Sequence, residues 1–342
     1  MSLGVVERPP IRGRKHFLSN SQNLLIVSAR HRSHRLNLMN TRRHFLTTSL
    51  SALGASALPA IEPIKRSGPS KMELGVAAYG FREYFEWSRD KKNKPKAGHA
   101  QITILDFVNW CADNGVPGAE LTSYFFPPET DAAYCEKVRA LADKRGVRIT
   151  GSAIGNTYTN PPGEKRDAEL AYTKNWVDFC AIMGAPHIRV FAGAAPKGMS
   201  LEDGVKNCIE TYQMALDYSA TKKIYLGIEN HGGIVAEPEQ LIAIIKAAKS
   251  EYAGINFDSG NFHTEDPYAD LAKIAPYTVN VQLKVDIKRK GAKENEPSDI
   301  PRVIKILRDV QYSGWFTLEY ERSDDPFVSI PKVVAEIRPL LG

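Results

Sequence analysis

The 342-residue chain has few cysteines, and none of them belongs to a Cys-x-x-Cys pair. The four are Cys111, Cys135, Cys180 and Cys208, and all fall in stretches whose pattern predicts helices. No histidine stands near them at the spacing of metal ligands. The pattern favours buried thiols and speaks against a disulfide framework or a zinc site.

The chain also lacks an excess of basic residues outside its first seventy positions. Residues 1–70 hold eleven Lys and Arg but two acidic residues, which leaves 34 basic and 37 acidic residues in the remainder. A domain that binds nucleic acid needs a basic face, so this composition indicates no nucleic-acid partner. A slightly acidic body suits an enzyme that acts on a small molecule.

No apolar run is long enough to span a bilayer comfortably. The nearest candidate, Thr47–Ala60, has about 15 residues, whereas a transmembrane helix needs roughly 20. It follows the pair Arg42-Arg43 and ends in small residues. This arrangement resembles a twin-arginine export signal, with a cationic segment, a weakly apolar run and a cleavage point.

We therefore expect residues 1–60 to be a basic extension followed by an export leader, with Met39 as an alternative start to Met1. Twin-arginine export carries folded proteins, so the resemblance implies a protein that reaches the periplasm or the cell exterior already folded. No lipobox cysteine follows the apolar run. We expect no lipid anchor and no stable insertion into the membrane.

From Glu73 onward the chain repeats one unit: a β-rich run, a polar loop and an amphipathic helical stretch. The eight predicted strands are Glu73–Phe81, Gly118–Phe125, Val147–Gly155, His187–Gly193, Ile224–Gly232, Ala253–Asn261, Val279–Asp286 and Trp315–Glu321. Helical spacing predicts helices such as Ile102–Asn114, Ala168–Met183, Pro238–Lys249 and Ile300–Val310. Alternation predicts a parallel sheet, and eight repeats predict a single (β/α)8 TIM barrel over residues 71–342. An open doubly wound sheet is the alternative, weakened because no GxGxxG turn follows the first strand.

Polar residues alternate with apolar ones along several predicted strands. The outer face of a barrel strand packs on helices, so the polar side chains must point into the barrel. The inward set is Glu120, Glu229, His231, Asn256, Asp258, Asn280, Gln282, Lys284, Asp286, Thr317, Glu319 and Glu321. Barrel interiors are usually apolar, so several buried carboxylates need a counter-charge. A divalent metal is one explanation, and oxygen donors favour Mn²⁺ or Mg²⁺ over Co²⁺ or Zn²⁺. Ion pairs with Lys284 and Arg189 are the other.

The carboxyl ends of four predicted strands carry recognisable motifs. They are Gly227–Gly233 (GIENHGG), Asn256–Asn261 (NFDSGN), Gln282–Asp286 (QLKVD) and Thr317–Glu321 (TLEYE). From about Leu74 to Leu341 the chain resembles the xylose isomerase-like superfamily of sugar isomerases and epimerases. The resemblance implies one metal held by Glu229, Asp258, Gln282 and Glu319, with Gln282 in the place of the family's histidine. It also implies that Glu229 and Glu319 exchange a proton with the substrate through an enediolate.

The resemblance implies a small-molecule carbohydrate substrate, either a keto-sugar or a sugar derivative. We expect His231, Asn261, Lys284 and Glu120 to contact it, and Asn261 stands where epimerases often have histidine. A lyase or dehydratase that acts on a polyol or keto-sugar is an alternative, as is a degenerate barrel that binds carbohydrate without catalysis. Barrels of this kind often form homodimers. A related endonuclease activity is disfavoured, because it needs several histidines around multiple zinc ions.

Overall fold

The computed structural model describes residues 61–96 and 98–341. The predicted export leader therefore lies outside the described residues and stays a prediction. Within the described part, no helix combines the length and the apolar character that a membrane crossing would require.

Eight parallel strands close into a barrel in chain order, and the last strand pairs with the first. They are β1 Met72–Ala77, β2 Gly118–Thr122, β3 Arg148–Ala153, β4 His187–Val190, β5 Tyr225–Glu229, β6 Ala253–Asp258, β7 Thr278–Leu283 and β8 Gly314–Leu318. The main helices are α1 Ile104–Asp113, α2 Ala132–Arg145, α3 Glu164–Met183, α4 Leu201–Thr221, α5 Pro238–Ala247, α6 Pro267–Ile274, α7 Ile300–Asp309 and α8 Pro326–Leu341. This architecture confirms the predicted (β/α)8 barrel.

The strands end earlier than the sequence predicts. After β1 the chain turns into a 3₁₀ helix, Ala78–Phe81, and after β2 into another, Ser123–Phe125. Phe81 and Phe125 are both buried, so the apolar pattern continues past the strand although the backbone has left the sheet. Apolar residues therefore indicate burial at these positions, and they do not distinguish a strand from the buried turn that follows it.

The helix ends follow local rules of sequence. Thr103 and Asp106 form a capping box at the start of α1, in which each side chain accepts a hydrogen bond from the other's backbone N–H. Gly146 and Gly184 end α2 and α3 with φ angles of 68° and 78°, which glycine adopts without steric cost. After each of these helix ends, a short loop leads to the next strand.

Apolar side chains from the outer face of the strands pack against the helices and form one hydrophobic core. All four cysteines are buried free thiols, which confirms their predicted burial. Two hairpins stand on the carboxyl-end rim of the barrel. One pairs Trp87–Ser88 with Lys91–Lys92 after β1, and the other pairs Asp286–Ile287 with Glu296–Pro297 after β7.

A buried histidine lies inside the barrel near the amino ends of the strands. His187 is 3% exposed, and neither ring nitrogen has a hydrogen-bond partner within the described residues. A Cβ atom on Gly227 would come within 2.5 Å of His187 Nε2, so this glycine makes room for the ring. Burial, with a smaller effect of Arg189, lowers the pKa of His187 to about 3.

We expect acid to destabilise the fold partly through His187. The unfolded chain binds a proton on this ring near pH 6.5, whereas the native state accepts it only near pH 3. The unfolded state thus binds more protons in between, and the free energy of unfolding falls as pH drops below about 6.5. Urea unfolding at pH 7 and pH 5 should show a loss about 2 kcal/mol greater in wild type than in His187→Met. Equal losses in the two proteins would contradict the assignment.

Candidate active site

Ionisable side chains converge at the carboxyl ends of the later strands. Glu229 and Asp258 are the last residues of β5 and β6. Lys284 and Glu319 directly follow β7 and β8, and Arg189 lies within β4. All five are buried. The two-residue period of a strand predicted the inward direction of the four residues at the ends of β5 to β8, whereas Arg189 was not in the predicted inward set.

The ammonium group of Lys284 lies among three carboxylates. Its Nζ is 2.5 Å from Glu319 Oε2, 2.9 Å from Glu321 Oε2 and 3.5 Å from Asp258 Oδ2. Desolvation alone would lower the pKa of Lys284, but the carboxylates outweigh it and hold that pKa well above its usual range. Desolvation alone would raise the pKa of Glu319, and Lys284 with Arg189 outweighs it and holds that pKa below its usual range. Both groups are therefore charged at neutral pH.

Glu229 has a different set of partners. Arg189 Nε forms an ion pair with Glu229 Oε2 at 2.9 Å, and Asn261 Nδ2 donates to Glu229 Oε1 at 2.7 Å. The guanidinium group also donates to the Ile154 carbonyl and lies 4.0 Å from the ring centroid of Phe191. Burial raises the pKa of Glu229, and Arg189 offsets only part of that rise. Glu229 and Glu319 are thus shifted in opposite directions.

Asp258 is held rigidly by its neighbours. Its Oδ1 accepts a hydrogen bond from the Gly260 N–H at 2.8 Å, and the Asn230 amide bonds both backbone groups of Asp258 at 2.9 Å. Its Oδ2 has no hydrogen-bond partner in the described part of the chain, and the cation that faces it is Lys284. Burial raises the pKa of Asp258 well above its usual range, partly offset by Lys284.

Four further polar side chains form an amide network beneath these groups: Glu120, Asn256, Asn280 and Gln282. Gln282 Nε2 donates to Glu120 Oε1 at 2.7 Å, and Gln282 Oε1 accepts from Asn256 Nδ2 at 2.6 Å. Asn280 Nδ2 lies 3.2 Å from Glu120 Oε2 and 2.9 Å from Asn256 Oδ1. Burial raises the pKa of Glu120 to about 7. Glu120 and Gln282 are both fully buried in this network.

Each of the four residues implied as metal ligands is already paired with another group of the protein. Glu229 faces Arg189, Asp258 and Glu319 face Lys284, and Gln282 is bonded within the amide network. Among residues 61–96 and 98–341, no group of three His, Cys, Asp or Glu could hold a metal ion. As arranged, this donor set does not fit a divalent metal. The ion pairs with Lys284 and Arg189, the second explanation offered by the sequence, are present.

A cavity of about 170 Å³ opens above these groups. It is lined by Tyr79, Arg89, Tyr124, Arg189, Phe191, Glu229, His231, Lys284, Glu319 and Glu321. Three larger clefts share lining residues with it: one of about 580 Å³ at Lys284 and Glu319, one of about 540 Å³ at Arg89 and Tyr124, and one of about 260 Å³ at Glu229 and His231. Aromatic faces beside carboxylates and cations suit a small polar molecule with apolar C–H faces.

The predicted substrate contacts divide into two groups. Lys284 and His231 line the cavity, and Asn261 lies beside it as a donor to Glu229. His231 is exposed, and its ring centroid is 4.6 Å from that of Phe191. Glu120 lies instead in the amide network, where Gln282 and Asn280 occupy both of its oxygens.

One charged residue of the cavity was not among the sequence candidates. Arg89 lies in the turn of the hairpin after β1, with a left-handed φ of 51°, and its guanidinium is 3.8 Å from the Tyr124 ring centroid. The only sequence feature that points to Arg89 is its position in a charged loop after the first strand, and such loops usually face solvent. The fold of the hairpin brings this residue over the cavity.

Solved structures with a similar fold include a D-psicose 3-epimerase studied in the presence of D-fructose. It is 15% identical with a TM-score of 0.63, and the match covers 79% of this chain and 100% of that chain. A 3-keto-D-glucoside 4-epimerase from E. coli is 16% identical with a TM-score of 0.59, over 79% and 100%. A probable 3-DHS dehydratase from Bacillus anthracis is 14% identical with a TM-score of 0.57, over 78% and 99%. At these identities the likeness shows the fold alone.

No curated protein has a sequence that matches this chain significantly. A family model does match: the one described as xylose isomerase-like TIM barrel aligns with residues 108–339, which is more than half of the chain. The match runs from within α1 to within α8 and includes every strand of the barrel except β1. The chain therefore belongs to the xylose isomerase-like TIM barrel family.

Proposed function

We propose that the protein is a carbohydrate enzyme of the isomerase or epimerase type, which moves a proton at a carbon next to a carbonyl group. The observation that carries this proposal is the pair Glu229 and Glu319. Both carboxylates are buried and line the same cavity, and their pKa values are shifted in opposite directions. Opposite shifts in two neighbouring carboxyl groups are typical of an acid and base pair. The epimerases among the structural neighbours support the same reaction class.

The roles of the two carboxylates follow from their surroundings. Glu319 stays ionised beside Lys284, so it can remove the proton from the carbon between a carbonyl and a hydroxyl group. Glu229, with its raised pKa, is more readily protonated and can return a proton to the resulting enediolate. Arg189 and Asn261 fix the orientation of Glu229. Lys284 and Arg189 together supply positive potential where the oxyanion forms.

The aromatic residues around the cavity would hold the sugar between these groups. Tyr79, Tyr124 and Phe191 all line the cavity. Rings of this kind pack on the C–H face of a sugar and exclude water from the reacting carbon. The hydroxyl groups of the sugar would face Arg89, His231 and Glu321 at the rim.

A lyase or dehydratase is the second candidate, and the probable dehydratase among the structural neighbours favours it. Elimination of water begins with the same removal of a proton next to a carbonyl. The difference lies in whether the intermediate regains a proton or expels a hydroxyl group. Glu229 could serve either outcome as the acid.

Product analysis separates these functions. The purified protein is incubated with D-fructose, D-tagatose, a 3-keto-D-glucoside and 3-dehydroshikimate, and the products are identified by ¹³C NMR and mass spectrometry. We expect a new epimer or isomer of unchanged mass. A product that has lost water would favour the lyase, and binding of a sugar without any product would favour a non-catalytic barrel.

A further inference from the structure

We infer that the ammonium group of Lys284 takes the place of a divalent metal ion in this active site and supplies the positive charge that the oxyanion needs. The placement of Lys284 is independent of the proposed function, whereas its catalytic use rests on that function. The inference explains why the donor set does not fit a metal although the family resemblance implies one.

The position of the ammonium group is that of a shared counter-ion. Its three carboxylate partners come from the two strands that flank β7: Asp258 is the last residue of β6, and Glu319 and Glu321 follow β8. The Lys284 side chain is 8% exposed, so its charge is satisfied by these groups and not by solvent. A buried lysine is strongly unfavourable unless carboxylates neutralise it in this way.

Two local contacts fix the position of the Lys284 side chain. The Lys284 N–H donates to Ser259 Oγ at 2.8 Å, which fixes the start of the side chain. A Cβ atom on Gly260 would lie 2.7 Å from both Cβ and Cγ of Lys284. Gly260 thus leaves the space through which the lysine stem passes, and the ammonium group arrives at one defined point.

The remaining metal donors are also committed elsewhere. Glu229 is paired with Arg189 and bonded by Asn261, and the Gln282 amide oxygen accepts from Asn256. A divalent ion would have to displace the ammonium group and break these contacts. While Lys284 remains in place, a second cation would be repelled at close range in a site of low dielectric constant.

The chemical consequence concerns how the substrate oxygen is stabilised. Lys284 lines the cavity, so its ammonium group can donate a hydrogen bond to the substrate oxygen that becomes negative as the proton leaves. The charge of Lys284 is single, whereas a metal ion carries two. We therefore expect substrates whose C–H bond is already activated by a ketone.

Metal binding by wild type and by Lys284→Met tests this inference. Metal content is measured by elemental mass spectrometry after purification, and the melting temperature is recorded with EDTA and with 1 mM Mn²⁺ or Mg²⁺. An ion present at a hundred times its Kd would raise the melting temperature by about 5 °C or more. We expect no such rise in wild type and a rise with Mn²⁺ in Lys284→Met, whose three carboxylates have lost their counter-ion. Lys293→Met, which changes an exposed lysine, is the matched control and should behave as wild type.

Wild type that contains about one metal ion per chain, with a fall in melting temperature on adding EDTA, would overturn the inference. So would the absence of any Mn²⁺ effect on a folded Lys284→Met. Should Lys284→Met not fold, Lys284→Gln takes its place in the same measurements, and the wild-type result tests the inference in either case. None of these readouts uses a substrate, so the inference can fail while the proposed function survives. Once a substrate is found, turnover by wild type should resist EDTA.

Discussion

Replacing Glu319 by glutamine should lower kcat by roughly 10²–10⁴-fold, the usual contribution of a general base. The amide cannot accept the proton, while its shape is unchanged. Lys284 keeps Asp258 and Glu321 as partners, so the fold should survive with little change in melting temperature. The measurement is steady-state kinetics on the substrate found by product analysis, together with thermal unfolding.

Two further variants make this prediction specific. Glu321→Gln removes a carboxylate that contacts the same ammonium group but is 45% exposed, and we expect a much smaller loss of kcat. Glu136→Gln changes an exposed residue on α2 and should have no effect. If Glu319→Gln kept turnover within tenfold of wild type, or lost no more than Glu321→Gln, Glu319 would not be the base. Glu229→Gln is a less clean test, because it leaves Arg189 buried without its carboxylate.

The second large effect concerns stability. Arg189→Met should lower the free energy of unfolding by about 3–5 kcal/mol, because it leaves Glu229 buried without its cation. The ion pair is nearly inaccessible to solvent, with side chains 4% and 3% exposed. Urea unfolding of the purified variants measures the loss.

A double variant separates the charge from the packing. Arg189→Met/Glu229→Gln removes both charges and should recover much of the lost stability, since replacing a whole buried pair is often nearly neutral. Lys305→Met breaks an exposed pair with Asp309 and should cost less than about 1 kcal/mol. Two results would contradict this account of the pair. One is an Arg189→Met protein that loses no more free energy of unfolding than Lys305→Met, and the other is a double variant that is less stable than Arg189→Met.

The architecture could be predicted from the sequence because the strand and helix periods are local. All eight strands exist where the alternation placed them, and the ends were wrong for a physical reason. Phe81 and Phe125 pack into the core from 3₁₀ turns, so their apolar character does not distinguish a strand from the turn that follows.

The sequence predicts which site residues point into the barrel, but it does not predict how far along the barrel axis each of them lies. Parity along a strand gives the face of each side chain and says nothing of how one strand is offset from the next. The pairing shifts by a residue at Ala119/Glu120 and at Ile255/Asn256. Such offsets need tertiary contacts to set them. They help explain why Glu120 and Gln282 meet in the amide network and not at the cavity.

The contact between Arg189 and Glu229 could not be predicted, because sequence patterns do not give the register between neighbouring strands. The strand β4 pairs Arg189 with Gly227 of β5, two residues before Glu229, and the long arginine side chain spans this distance. The contact between Arg189 and Glu229 then follows from the pairing of β4 with β5. The sequence suggested Arg189 as one of two cations that could neutralise the carboxylates, but it did not identify Glu229 as its partner, because that contact depends on the register between β4 and β5.

We expect Glu229 and Glu319 to move a proton at a carbon next to a carbonyl group. Hydrogen exchange in D₂O tests it most directly, because epimerase and lyase chemistry both begin with that step. Each keto-sugar of the panel is incubated with the protein in D₂O and examined by NMR. We expect wild type to place deuterium on the carbon next to the carbonyl of at least one sugar, and Glu319→Gln to do so far more slowly. Exchange that is equally fast in both proteins, or none in any sugar that the protein binds, would contradict the account.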